Sequence, residues 1–331
     1  MISKAITFKQ LQEFVDSNDQ IDTQLELKLE NQKLDDACIQ TLCNKLYYLT
    51  NLTRLSLNLR DNKIGKKGSS VLGVTLKNLK NLEFLSLILQ QNEINDQGIS
   101  DIATGIKNCK KLSVLDLDLK ANYVNQKGAT ALGTKIGSCP NLQSLKLNLS
   151  WNNISLKGGK DLLAGLGKNA SLKKLIFDYS QKGIQQYGSD VTGIGQGLSS
   201  CINLITFQLN LPLNNISDYH AINLGLGLSQ CINLEKLIIK LYQNQIKGQG
   251  MNDLVKGIAK CTQLKDLQLY MSFNSIGELG VDGLVNELSA FKFLLNLKLD
   301  FIMNGINHVS KAKLKSKIYK MQRLVSSQIC C

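Results

Sequence analysis

The chain has 331 residues, 43% of them hydrophobic, and its 39 basic and 26 acidic residues give a net charge of +13 at pH 7. It contains no run of about eighteen apolar residues and no long apolar stretch near its N-terminus, which argues against a membrane-spanning helix and a secretory signal. Two histidines and no Cys-x-x-Cys pair argue against a zinc site, so neither a metal nor another cofactor is expected.

The first segment, residues 1–21, is predicted to be an N-terminal capping helix. Within it, TFKQLQEFVDS offers Thr7 followed by Gln10 as a helix start. Apolar residues recur at helical spacing through this segment. They are Phe8, Leu11, Phe14 and Val15.

A repeat then occupies residues 22–306. Residues 51–65 read NLTRLSLNLRDNKIG, in which alternating leucines predict a strand and Asn62 predicts the turn that ends it. The same frame opens ten times, with a step of thirty residues except for one step of thirty-two between Leu172 and Leu204. A period of this length indicates a solenoid of stacked units.

The other recurring positions each have a predicted role. The asparagine that ends each strand is expected to bond neighbouring backbone groups and form a ladder. An apolar segment at near-helical spacing follows, and a recurring glycine, such as Gly68 or Gly188, predicts close packing against the next unit. Five cysteines share one slot before the first leucine, too far apart from repeat to repeat for disulfides, and are predicted to be buried free thiols. They are Cys109, Cys139, Cys201, Cys231 and Cys261.

The pattern L-x-x-L-x-L-x-L-x-x-N-x-I with a glycine-marked helix resembles the leucine-rich repeat family, of the ribonuclease-inhibitor-like class. The resemblance implies an α/β solenoid shaped as a horseshoe, with a parallel sheet on the concave face and helices on the convex face. About ten 30-residue repeats would compose it. The family mostly binds proteins, although a fold alone does not determine a partner.

Most outward positions of the predicted strands are polar, but a minority carry large apolar or aromatic side chains. Exposed apolar groups often mark protein-binding surfaces, and tyrosine and tryptophan are enriched at binding hot spots. Tyr242, Tyr270 and Phe273 lie in adjacent repeats and are predicted to form one patch. The alternative is that these side chains pack on one another or on strand ends. The candidate protein-binding residues are Phe84, Ile88, Trp151, Ile176, Ile238, Tyr242, Tyr270 and Phe273.

The repeat at residues 172–203 is irregular, because Lys182 replaces the ladder asparagine and two residues are added. Either the insertion lies on a binding surface or it is an irregularity that the solenoid tolerates. The run Gly193-Ile-Gly-Gln-Gly197 resembles part of a nucleotide-binding loop, but Leu198 stands where the third glycine belongs. A nucleotide site is therefore not expected.

The last segment, residues 307–331, is predicted to be a basic capping helix and tail, with Leu314, Ile318, Met321 and Val325 on one apolar stripe. Its lysines either face water or contact an anionic surface. A membrane is not an expected partner unless Cys330 or Cys331 carries a lipid. The residues for anionic contact are Lys311, Lys313, Lys315, Lys317, Lys320 and Arg323.

These features predict a non-enzymatic protein-interaction scaffold, in the cytoplasm or cytoskeleton as a structural subunit of a larger assembly. Its protein partners are expected to be partly acidic, because the chain is basic. One alternative is a regulator of a small GTPase, because a branch of this repeat class resembles the Ran GTPase-activating protein; Arg54 and Arg60 would then be the active residues. That family ends in an acidic tail, whereas this tail is basic.

A second alternative is binding of nucleic acid or an anionic surface through lysine side chains. Nucleic acid is disfavoured because only Arg54, Arg60 and Arg323 are arginines, and arginine is the usual residue for bidentate recognition. A ribonuclease inhibitor proper is also disfavoured, since a chain of charge +13 would repel basic ribonucleases.

Overall fold

The structure is a computed structural model that describes residues 5–18, 20–180 and 192–331. They fall into two compact units, Met1–Ile154 with Lys168–Leu172, and Ser155–Gly167 with Lys173–Cys331. Each unit alternates parallel strands and helices along the chain, as the repeat predicted. The predictions that involve Lys182 and Gly188 lie outside the described residues.

The described residues of the first unit form six strands, and each strand pairs in parallel with the next one along the chain. Its strands are β1 Ile6–Phe8, β2 Gln24–Lys28, β3 Arg54–Asn58, β4 Phe84–Ile88, β5 Val114–Asp118 and β6 Ser144–Asn148. Its helices are α1 Leu11–Asp16, α2 Asp36–Leu46, α3 Lys66–Asn78, α4 Asp96–Asn108 and α5 Gln126–Ile136.

The second unit repeats the arrangement, again with parallel pairing between successive strands. Its strands are β7 Lys174–Asp178, β8 Thr206–Asn210, β9 Lys236–Lys240, β10 Asp266–Tyr270, β11 Asn296–Asp300 and β12 Ser326–Cys330. Its helices are α6 Leu156–Gly167, α7 Thr192–Leu198, α8 Asp218–Leu228, α9 Gly248–Ile258, α10 Gly277–Glu287 and α11 His308–Tyr319, with a short 3₁₀ helix at Leu288–Ala290.

The leucines of each repeat form the core between sheet and helices. Leu55, Leu57 and Leu59 are fully buried, and the same positions are buried in the other complete repeats. Leu59 lies just beyond β3, yet its N–H still donates to the carbonyl of Ile88 at 2.8 Å. Burying a leucine contributes about 1.5–3 kcal/mol, so these columns supply the main driving force for folding.

The asparagine ladder is present in both units. Asn92 donates from Nδ2 to the carbonyls of Leu59 and Leu89 at 3.0 and 3.1 Å, and its Oδ1 accepts from the N–H of Ile64 at 3.0 Å. The same bonds recur at Asn274 in the second unit. Both asparagines thus satisfy backbone groups of two consecutive repeats, which confirms the predicted role at these positions.

The five predicted core cysteines are buried and form no disulfide. Burial raises the pKa of Cys109, Cys201 and Cys261 to about 12 and that of Cys139 to about 11. These thiols therefore stay protonated near neutral pH and behave as small apolar side chains.

Both ends of the chain differ from the sequence predictions. The first helix begins at Leu11 and not near Thr7, which lies with Phe8 in strand β1. At the other end, α11 stops at Tyr319, so the predicted stripe is divided. Leu314 and Ile318 are buried on α11, whereas Val325 is 80% exposed just before β12. Both segments continue the sheet because their backbones pair with the neighbouring repeat.

Candidate protein-binding surface

The outward face of each sheet consists of the side chains that alternate with the core leucines. In the second unit, register places Tyr270 of β10 directly opposite Lys240 of β9 and Asp300 of β11. Ile176 of β7 and Ile238 of β9 both lie opposite Gln208 of β8, in the next outward row. All of these outward side chains are partly exposed.

Two lysines flank the ring of Tyr270. The Nζ atom of Lys240 lies 5.7 Å from the ring centroid and that of Lys298 lies 5.2 Å from it. The phenol donates to Oε1 of Gln268 at 3.1 Å, which holds the ring in place. Neither lysine makes a salt bridge in the described part of the chain, so both charges remain available. We call Lys240, Tyr270 and Lys298 the lysine–tyrosine clamp.

Tyr242 and Phe273 lie beyond the strands, nearer the turn. The N–H of Gln243 donates to the carbonyl of Ser272, so Tyr242 is aligned with Ser272 and not with Tyr270. Phe273 is one residue further on. No ring contact joins these three aromatic residues. They share one region of the outward face but do not stack on one another.

Phe273 occupies a recurring backbone position immediately before the ladder asparagine. This residue adopts a left-handed conformation, with φ of +57° at Phe273 and at Met303. The N–H of Phe273 donates to the carbonyl of Ile302 at 2.9 Å, which brings Phe273, Ile302 and Met303 together. Their side chains are 53%, 44% and 68% exposed. We call these three residues the apolar ridge.

The first unit carries its own outward residues, and cationic groups cover two of its aromatic rings. The guanidinium of Arg54 lies 4.1 Å from the centroid of the Phe84 ring, and Nζ of Lys120 lies 4.4 Å from that of Trp151. Ile88 is partly exposed opposite Asp118. Trp151 holds the left-handed position before its ladder asparagine, with φ of +59°.

Two acidic residues on the outward face of the first unit bind to neighbouring groups of the same chain. Asp116 forms a salt bridge of 3.0 Å with Lys146. Asp118 accepts from the backbone N–H of Lys120 at 2.9 Å and from Asn148 at 3.2 Å. Across the described residues, no group of three histidine, cysteine or acidic side chains is placed to bind a metal.

The remaining candidates are dispersed. Arg60 is exposed beyond β3, away from the Phe84 ring that Arg54 covers. On α11, Lys313 forms a salt bridge of 2.6 Å with Asp282, whereas Lys315 on the helix and Lys320 directly after it are exposed. The other predicted basic residues do not form one continuous face: Lys311 and Lys317 are partly buried, and Arg323 lies 5.9 Å from the Phe293 ring.

The pairing register of the strands accounts for the lysine contacts of Tyr270, which were not predicted from the sequence. Lys240, Tyr270 and Asp300 are spaced by exactly one repeat each, so the repeat length alone would have placed Lys240 beside Tyr270. The sequence predicted Phe273 but not Ile302 or Met303, the other two residues of the apolar ridge. The residue before each ladder asparagine is turned outward by its backbone, and Met303 and Phe273 occupy that position.

Comparisons with known proteins agree with the fold. A family model described as "Leucine Rich repeat" matches residues 49–73 and 138–163. A search of curated proteins by sequence returns no match. One similar solved structure is titled "Leiomodin-1 Actin-Binding Site 2 (ABS2)"; it is 17% identical, covers 48% of this chain and 87% of its own, and has a TM-score of 0.32. That likeness says nothing about what the present chain binds.

The repeated strand–turn–helix unit, its asparagine ladder and the two family-model matches show the leucine-rich repeat fold. Its helices, as far as the structure describes them, include none long and apolar enough to cross a membrane.

Proposed function

We propose that the chain is a non-enzymatic protein-interaction scaffold that serves as a structural subunit of a larger cytoplasmic or cytoskeletal assembly. Leucine-rich repeats support a scaffold in general, because a hydrogen-bonded sheet holds its outward side chains in fixed positions. The ribonuclease-inhibitor-like class is the form of the repeat that we favour, since each strand is followed by a full helix in most repeats.

The observation that carries the proposal is the group of aromatic side chains on the outward face of the second unit. Tyr242 and Tyr270 are partly exposed, and Phe273 is 53% exposed. None of the three fills the core, which leucines already occupy. Aromatic side chains lose little conformational entropy when a partner covers them, so they are suited to a protein interface.

The test combines three substitutions, Tyr242→Ala, Tyr270→Ala and Phe273→Ala, in the full chain. Native complexes would be purified gently from the source cells with nuclease, at low and moderate salt, and their proteins identified by mass spectrometry. We expect a stoichiometric protein that survives moderate salt with the native chain and is lost with the variant. A matched control replaces outward polar residues of the same unit: Thr206→Ala, Asn296→Ala and Gln328→Ala.

Circular dichroism and thermal unfolding would establish that both variants remain folded. Recovery of the same partner at the same stoichiometry with the aromatic variant would show that these three aromatic residues do not bind it. Recovery of the native chain alone at both salt concentrations would count against the scaffold.

A second candidate, binding of an anionic surface, is favoured by exposed Lys315 on α11 and exposed Lys320 directly after it. It predicts sedimentation of the chain with phosphatidylserine vesicles at low salt and its release at moderate salt. Replacing both lysines with glutamate should abolish sedimentation. If the variant sediments as the native chain does, α11 is not the contact.

A further inference from the structure

The lysine–tyrosine clamp and the apolar ridge lie side by side on the second unit. The ridge begins three residues after Tyr270, a span of about 10 Å in an extended chain. Lys240 and Tyr270 end their strands and Lys298 lies in the middle of β11, so the two cationic groups lie on the strand side of an exposed apolar strip. We propose that this combined surface binds an acidic protein segment in which carboxylates lie next to large apolar side chains. The inference rests on the proposed scaffold function and specifies the chemistry of its partner.

Local folding does not account for the ridge. A left-handed backbone costs roughly 1–2 kcal/mol for most residues and much less for glycine or asparagine. The equivalent position in the first unit holds Asp61, Gln91, Ala121 and Trp151, so the fold accepts small or polar side chains there and does not require an apolar one. Phe273 and Met303 add exposed apolar surface to a conformation that favours neither residue. Such surface is explained when a partner covers it.

The charges around the clamp favour an anionic partner. Lys240 and Lys298 approach the Tyr270 ring, and no carboxylate among the residues that the structure describes lies within salt-bridge distance of either. Of the neighbouring acids, Asp266 is paired with Lys236 at 2.8 Å. Asp300 accepts hydrogen bonds from the Ser272 hydroxyl and the Ile302 N–H, both at 3.3 Å. Its carboxylate is therefore bound to groups of its own chain and not to either lysine of the clamp.

Cation–π contact also fixes the position of each ammonium group. A lysine held near an aromatic ring loses less side-chain freedom on binding than a lysine in open solvent. The two lysines come from strands on either side of β10, and both ammonium groups lie within 6 Å of the same ring. Two positive charges gathered at one ring favour a segment with more than one acidic residue.

The experiment presents a random library of 12-residue peptides to the immobilised full chain and sequences the enriched peptides. We expect enrichment of aspartate or glutamate together with leucine, isoleucine or aromatic residues. The variant Lys240→Glu with Lys298→Glu should lose that enrichment. A labelled peptide from the selected pool should bind the variant at least tenfold more weakly in fluorescence anisotropy.

Two further variants test the ridge without endangering the fold. Phe273→Asn and Met303→Asn place a residue that tolerates positive φ in each slot, so thermal stability should be maintained while peptide affinity falls at least fivefold. The matched control is Gln91→Asn, at the same backbone position in the first unit with φ of +55°, which should leave affinity unchanged. Polyglutamate, which has charge without apolar groups, should compete only weakly.

The inference is overturned if selected peptides are neutral or basic, if no peptide is enriched, or if enrichment persists on the double-glutamate variant. Retained affinity in the asparagine variants, or full competition by polyglutamate or by an RNA homopolymer, would likewise overturn it. The experiments distinguish failure of the scaffold proposal from failure of the acidic-partner inference. If the aromatic-to-alanine variant loses its native partner while charge reversal has no effect, the scaffold stands and the acidic partner does not.

Discussion

The guanidinium of Arg54 lies 4.1 Å from the centroid of the Phe84 ring, and register places the two residues directly opposite each other in β3 and β4. Sequence reasoning assigned these residues to competing functions, Arg54 to GTPase regulation and Phe84 to protein binding. Because the two side chains contact each other, neither acts independently. An arginine held across a neighbouring ring is also less free to reach into another protein's active site.

This contact predicts an energetic coupling between the two residues. A double-mutant cycle with Arg54→Ala, Phe84→Ala and the combined variant should give an interaction energy of about 0.5–1 kcal/mol, the size of an exposed cation–π contact. The free energies of unfolding would be measured in urea. As a control, Arg60→Ala combined with Phe84→Ala should be additive, since the Phe84 ring is covered by Arg54. Equal coupling in both cycles would contradict this explanation.

The asparagine ladder predicts a large loss of stability from one small substitution. Asn122 donates to the carbonyls of Leu89 and Leu119 at 2.9 and 3.1 Å and accepts from the N–H of Ile94 at 3.1 Å. Asn122→Ala should lower the free energy of unfolding by about 2–4 kcal/mol, because buried backbone groups lose their partners.

The control for the ladder is Asn153→Ala, which truncates an exposed asparagine just after the ladder residue of the next repeat. It should change the free energy of unfolding by less than about 0.5 kcal/mol in the same urea experiment. Similar losses for both variants would show that the ladder bonds do not dominate.

The thirty-residue period allowed the strands, the buried leucines, the ladder and the buried cysteines to be predicted, because each depends on one local pattern repeated many times. The ends were harder to predict. Strand β1 holds Thr7 and Phe8, and Val325 directly precedes β12. These short strands form only because they pair with a neighbouring repeat, and a short segment read alone fits a helix equally well.

The clamp depends on side chains from three strands, so its prediction requires the pairing register of the strands as well as the residue types. The sequence placed Tyr270 on the outward face but did not predict that two lysines flank its ring.

Glycines on the helices predict a test of how closely the repeats pack. A Cβ atom added at Gly257 would lie 2.1 Å from the carbonyl oxygen of Gly225 on the neighbouring helix. Gly257→Ala should therefore force α8 and α9 apart and lower the free energy of unfolding by about 1–3 kcal/mol, despite the higher helix propensity of alanine.

Gly159→Ala is the matched control on α6 of the same unit. Its added Cβ would meet the flexible end of Ile194 at 3.1 Å, with no backbone atom among its close contacts. That variant should be neutral or stabilised by up to about 1 kcal/mol. Urea unfolding compares the two directly, and a loss at Gly159 equal to that at Gly257 would contradict the role of helix contact.

The buried thiols predict a decline of stability in alkaline solution. Burial raises the pKa of Cys261 from 9.0 to about 12. Between these values the unfolded chain has released the thiol proton and the folded chain has not, so the unfolded state binds fewer protons. The free energy of unfolding must then fall as pH rises, by on the order of 1 kcal/mol per pH unit for this thiol, and the effect is absent well below pH 9.

The measurement is urea unfolding at pH 8, 9 and 10 for the native chain and for Cys261→Ala. The variant should start less stable at pH 8, because it loses buried volume, but its stability should fall less steeply toward pH 10. Leu264→Val is the control, since it trims a buried side chain that does not titrate and should reduce stability by the same amount at every pH. If Cys261→Ala and the native chain decline in parallel, the thiol is already accessible to water in the folded protein.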